Sequence, residues 1–309
     1  MSANTTFPRQ AIGLLALMTF FWGVNWPLLK VTLVEIAPLH FRSWCVLAGV
    51  IGLFAIAWAS GQNMRVPRGQ WGRLTAIALL NITGWNILAV YGIPMMASGR
   101  AAILAYTMPV WGVLFSAWLL REKLTRRRII GLLLGMGGML LLFSTEFASL
   151  QRAPLGAMLM ISSAVIWAFG VVVMKRWPVA MPLTPFIGWQ MLIGGIPICL
   201  GAIFVEPGSF DLMRLSFWPL TGTIYNMFIA FVFCYWVFAK IALIAPVGVS
   251  TLSILMTPVV GVFSGVIFLG EILHWQDMAA LVMVLAALAT VMLPPGMLRR
   301  FSRAANDPG

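Results

Sequence analysis

The chain has 309 residues, 61% of them hydrophobic and 9% charged, with a formal net charge of +12. Soluble domains carry about 25% charged residues, so the composition argues against a water-soluble fold and leaves no room for a separate soluble domain. The 20 basic residues are scattered between apolar runs, with no continuous stripe and no RNA-binding signature, which argues against nucleic acid.

Apolar runs fall at 11–29, 37–59, 72–92, 97–119, 128–145, 154–174, 184–204, 217–239, 246–268 and 277–294. Each is close to the roughly 20 residues that cross a hydrocarbon core, so ten transmembrane helices are expected. The first run follows Arg9 but holds Trp22, Asn25 and Trp26 and is followed by no small-residue cleavage site; it reads as an uncleaved first span. With a cytoplasmic N-terminus, 15 Lys and Arg fall on the inner side, Arg121, Lys123 and Arg126–Arg128 among them. Five, Lys30, Arg42, Arg100, Arg152 and Arg214, fall on the outer side. Cytoplasmic loops collect basic residues, so both termini are expected inside and the number of spans even. Cys45, Cys199 and Cys234 lie inside apolar runs without C-x-x-C spacing and read as packing residues.

The chain also resembles itself. Trp22-Gly23 through Lys30 matches Trp167-Ala168 through Lys175 at an offset of 145, and Asn81 falls on Asn226. Met108-Pro109-Val110 matches Thr257-Pro258-Val259 at an offset of 149, with Glu122 on Glu271. A duplicated five-helix unit has an odd number of spans, so its second copy is expected upside down. The loop after span four carries five basic residues, whereas its counterpart carries Glu271, His274 and Asp277, as opposite faces require. The expected organisation is a cytoplasmic tail 1–10, a first repeat 11–147, an inverted second repeat 152–294 and a cytoplasmic tail 295–309.

Several elements now converge: Trp22-Gly23-x-Asn25 with Lys30, Pro38 followed by Arg42, and the run Ala97 to Glu122 with Pro109. Trp167, Lys175, Pro246, Pro258 and Gly270-Glu271 repeat them. In this order they resemble the drug/metabolite transporter superfamily, in its ten-helix EamA-type branch, over nearly the whole chain. The resemblance implies an all-α integral membrane protein, two inverted repeats around a central cavity lined by spans one, three, four, six, eight and nine, with five and ten to one side. It also implies export of amino acids and related metabolites, or exchange of small solutes, across the cell inner membrane.

Polar groups in hydrocarbon must face protein, water or solute. Asn25, Asn81, Asn86 and Asn226 sit within spans, where they either line the cavity or hydrogen-bond between helices. Trp22, Trp85, Trp111, Trp167 and Trp236 lie deeper than the interfacial Trp44, Trp58, Trp71, Trp189, Trp218 and Trp275, and either stack on cargo or pack helices. Arg100 opens span four, where it either clamps a carboxylate or snorkels to headgroups; Arg42 braces the structure or pairs with a backbone carbonyl. The substrate-binding set is therefore Trp22, Asn25, Asn81, Trp85, Arg100, Tyr106 and Trp167. Pro109 and Pro258 each remove a helical hydrogen bond and are expected hinges, with Gly112 and Gly261 allowing close approach. Gly131-x-x-x-Gly135 and Gly137-Gly138 form a smooth face for a neighbouring helix or, alternatively, a homodimer, although a monomer suffices.

No Asp or Glu lies in mid-span, which favours uniport or exchange over proton antiport. There is no P-loop, His-Glu-x-x-His pair or Gly-x-Ser-x-Gly elbow, so no enzyme activity, cofactor or metal is expected. The expected function is alternating-access export of a small amphipathic metabolite, most directly an amino acid. The alternatives are traffic in drugs or other metabolites on the same fold, and a non-transporting membrane sensor or assembly factor.

Overall fold

The computed structural model describes residues 9–148, 155–244 and 247–292. Every regular element among them is helical. They string into α1 (Arg9–Thr32), α2 (Pro38–Ala59), α3 (Trp71–Met95), α4 (Ser98–Leu119), α5 (Arg126–Ala148), α6 (Leu155–Arg176), α7 (Leu183–Phe204), α8 (217–244), α9 (Val247–Leu269) and α10 (Trp275–Met292). Seven, α1 to α4 and α6 to α8, hold stretches long and apolar enough to cross a membrane. α9 and α10 contribute shorter apolar stretches, Met256–Leu269 and Trp275–Thr290, and α5 opens on Arg126–Arg128. Most of both expected tails lies outside the described residues, as do Arg152 and Pro246.

The exterior is as apolar as the core: Ile51, Trp58, Phe204 and Ile267 are all at least 70% exposed. Such a surface suits lipid, and lipid removes the hydrophobic drive between helices, so close approach and van der Waals packing hold them together. Glycines supply that approach. Gly49 faces Met191, Gly195 faces Val46 and Gly188 faces Phe54, which seats α2 on α7. Gly137 and Gly138 meet Met283 and the Ala280 carbonyl, and Gly135 meets Val110. The smooth face of α5 is thus used on α10 and α4. Gly261 packs on Trp26 and Ala102, whereas Gly112 has nothing within 4 Å of where a Cβ would stand; the expectation of close approach at Gly112 is corrected, because that face of α4 meets no neighbour.

The packing pairs exchange among themselves. α1 lies on α9 and α6 on α4; α2 lies on α8 and α7 on α3; α2 pairs with α7, and α5 with α10. Counting five helices onward, and returning to α1 after α10, exchanges the first two pairings and the next two and maps α2–α7 and α5–α10 each onto itself. α3 and α8 also share a local irregularity, each widening into a π-helical segment, Leu79–Gly84 and Asn226–Cys234. These two segments carry Asn81 and Asn226, and each contains one more residue per turn than an α-helix can hold, a feature frequent at functional sites.

The proline sites differ. α4 breaks at Tyr106 and Thr107, immediately before Pro109, and the Thr107 hydroxyl donates to the Leu104 carbonyl at 2.6 Å. α9 runs helical through Pro258.

Candidate functional site

Three amides meet the helix crossings at depth. Asn81, 8% exposed, lies so close to Gly170 of α6 that only a glycine fits opposite it, and its Oδ1 has no hydrogen-bond partner. Asn226, fully buried, donates from Nδ2 to the Gly222 carbonyl at 2.9 Å and leaves its Oδ1 unpaired. The Oδ1 of Asn25 is likewise buried and unpaired. Leaving such an acceptor dry costs about 1–3 kcal/mol, so three in one bundle are unusual for a purely structural purpose.

The aromatic residues of the expected substrate-binding set lie on α1, α3, α4 and α6. Trp22 is half-buried and its ring meets Tyr235 edge-on at 5.7 Å and Phe238 at 6.0 Å. Tyr106, at the α4 break, meets Trp26 at 6.5 Å and reaches Thr257 of α9. Trp85 is half-buried against the main core, Trp167 is half-buried on α6, and the Trp111 indole nitrogen is buried without a partner. Trp44 and Trp189 instead donate to the carbonyls of Phe210 and Met64 at 3.2 and 2.8 Å.

Arg100 is engaged. Its Nε donates to Asp277 Oδ1 at 2.6 Å, and its Nη2 lies 3.5 Å from Asp277 Oδ2 and from His274 Nδ1. In this conformation the guanidinium that the sequence offers as a carboxylate clamp already holds a carboxylate of the protein, Asp277.

The ends of the bundle carry paired charges. At one end Glu271 takes four donors: Lys30 Nζ at 3.0 Å and the Ser98 N–H at 2.7 Å on Oε1, the Ser98 hydroxyl at 2.9 Å and the Gly99 N–H at 3.2 Å on Oε2. It therefore caps the N-terminus of α4 while binding the end of α1. Burial pushes this carboxyl up, but the Ser98 and Gly99 amides, Lys30 and the Ser98 hydroxyl outweigh it and hold it below the ordinary range. Glu206 accepts from the Leu39 and His40 N–H groups at 2.7 and 3.2 Å and from the Tyr91 hydroxyl at 2.6 Å, closing the start of α2 against α3 and α7. At the other end Glu122 accepts from Lys175 at 2.6 Å and pairs with Arg128 at 2.7 Å, and both cations hold its carboxyl low against burial.

Lys30 and Lys175 are repeat equivalents, as are Glu271 and Glu122. The bridges therefore cross between repeats, Lys30 of the first to Glu271 of the second and Lys175 of the second to Glu122 of the first. The sequence shows the equivalences; that each lysine pairs with the glutamate of the other repeat emerges only on folding.

Two clefts stand out. One, about 10 Å³, lies among Gly99, Arg100, Glu271 and Asp277; the other, about 170 Å³, is an apolar groove between α2 and α7. Neither is lined by Trp22, Asn25, Asn81, Trp85, Tyr106 or Trp167. Close approaches of Gly23 to Val260, Gly170 to Asn81 and Gly222 to Thr32 bring the helices together where the sequence implies a chamber.

The profile of the EamA-like transporter family matches residues 9–144 and again 154–293. An uncharacterized transporter of Bacillus subtilis, YvbV, is 26% identical over 90% of this chain and 90% of its own. A probable amino-acid metabolite efflux pump of Salmonella typhimurium is 26% identical over 89% of this chain and 93% of its own. A solved crystal structure covers 94% of this chain and 98% of its own at a TM-score of 0.67 and 18% identity, which shows a shared fold. With both stretches matched and transporters among its relatives, the chain belongs to the EamA-like transporter family and is a membrane transporter.

Proposed function

We propose that the chain exports a small amphipathic metabolite, most directly an amino acid, across the cell inner membrane by alternating access between two inverted five-helix halves, with both termini cytoplasmic. The observation that carries this reading is the crosswise pair of bridges, Lys30–Glu271 at one end and Lys175–Glu122 at the other. Two halves related by inversion present the same lock to each face, and opening one lock while the other holds is what alternating access requires. Exchange of helix pairings and the matched π segments support the inversion. The Salmonella relative described as a probable amino-acid metabolite efflux pump supports the cargo.

In this reading Asn25, Asn81, Trp22, Trp85, Tyr106 and Trp167 contact the solute once the halves part. Arg100 joins them only on leaving Asp277. The α4 break before Pro109 is the hinge, with the unbroken turn at Pro258 its partner. The spans lack a carboxylate in mid-membrane, so the driving force is the solute's own gradient or exchange.

The test is efflux of labelled amino acids from proteoliposomes containing the pure protein. Efflux is expected to survive collapse of the pH gradient. Strict dependence on that gradient overturns uniport and exchange, and absence of flux for every solute favours a sensor.

A further inference from the structure

The cations Lys30, Arg100, Arg128 and Lys175 each have a carboxylate partner. Arg42 has none among the described residues, although it is only 4% exposed. Its guanidinium carbon lies 5.2 Å from the Phe41 ring centre and 5.6 Å from that of Phe231, and its Nε is buried without a hydrogen-bond partner. Phe231 belongs to the π segment of α8 and its carbonyl faces Gly49, so α2 and α8 meet well inside the bundle. An arginine stays charged there, and a charge buried among membrane helices is costly unless it is paired. Ring faces attract a cation but accept no full hydrogen bond, so the Nε–H stays without an acceptor among the described residues.

We infer that Arg42 is an anchor for the carboxylate of the transported solute. Resting on the transport reading above, this names the cargo as a small organic carboxylate with an apolar body. The planar fork of Arg42 matches a carboxylate in two parallel hydrogen bonds, and the cargo supplies the negative charge that the described residues do not bring to it. The surroundings suit the apolar part. Phe231, whose ring the guanidinium faces, meets the Tyr235 ring at 5.7 Å, and Tyr235 meets Trp22 at 5.7 Å, so an aromatic wall runs from the guanidinium to the α1 indole.

The probes are a series of small carboxylates with apolar side groups, their methyl esters, and the corresponding amines. Each is added to the detergent-purified full chain in a thermal-shift titration, with the same series run for efflux in proteoliposomes. Acids are expected to stabilise the wild type and esters and amines to do so at least about tenfold more weakly, since the fork loses its bidentate partner. Arg42→Gln is expected to abolish the preference for acid over ester. Arg42→Lys, which keeps the charge and loses the fork, should bind the acids about tenfold more weakly. The acid-against-ester comparison on the wild type decides the ligand class even where a variant fails to fold. Equal acid affinity in wild type and variants overturns the anchor and leaves transport standing. Equal binding of acid and ester to the wild type also overturns it. Flux confined to uncharged or cationic solutes does the same, whereas no flux of any solute fails the transport reading itself.

Discussion

Replacing Glu271 by Gln keeps its volume and one acceptor but removes the charge and turns the other oxygen into a donor. At the Oε2 position that donor faces the Gly99 N–H, a contact the side chain can relieve only by leaving the end of α4. Hydrogen bonds to a charged acceptor contribute about 1.5–3 kcal/mol, and a carboxylate at a helix N-terminus about 0.5 kcal/mol more. The Lys30 bridge, with that side chain 33% exposed, adds under about 1 kcal/mol. The sum is about 3 kcal/mol, or a melting point about 6 °C lower for a chain of this length, read by tryptophan fluorescence in detergent. Lys30→Met, which removes only the bridge, should cost under about 1 kcal/mol. Because the folded carboxyl is held low, its contribution is complete above the unfolded value of about 4.3. It drains away as pH falls through the lowered folded value, so wild type and Gln variant should converge in acid. A Lys30→Met loss as large as that of Glu271→Gln, or a gap that widens in acid, refutes the capping role.

At the opposite end Glu122→Gln should cost under about 1 kcal/mol by the same melting assay, because Lys175 is 64% exposed and no backbone N–H shares the carboxylate. Asn81→Leu should leave the melting point equal or higher, since it removes a dry acceptor, while efflux in proteoliposomes falls at least about tenfold, a stability gain at the expense of function. Gly170→Ala should depress folded yield and melting by about 1–3 kcal/mol, because a Cβ would overlap the Asn81 amide. Tyr91→Phe should cost about 1–2 kcal/mol by loss of its 2.6 Å bond to Glu206.

Arg100 and Arg42 illustrate where a linear reading stops. The sequence places Arg100 at a span end and offers it to a cargo carboxylate, and treats Arg42 as a brace. Folding brings Asp277, 177 residues away, onto Arg100 and, among the described residues, brings no acid to Arg42. Likewise Gly112 and Gly261 look alike in their proline-containing spans, yet one faces open space and the other Trp26. The π segments had only a faint trace beforehand, the matched Asn81 and Asn226.

Apolar run length, the sidedness of basic residues and the internal duplication are properties of neighbouring residues along the chain, so the sequence alone determined a helical membrane protein, its doubled design and its family. Which charge finds a partner, which glycine meets a helix and which amide stays dry depend on how helices cross. The backbone hydrogen bonds of each helix are satisfied within itself and carry no record of its neighbours, so only the tertiary structure decided the bridges at the two ends and left Arg42 Nε without a hydrogen-bond partner among the described residues.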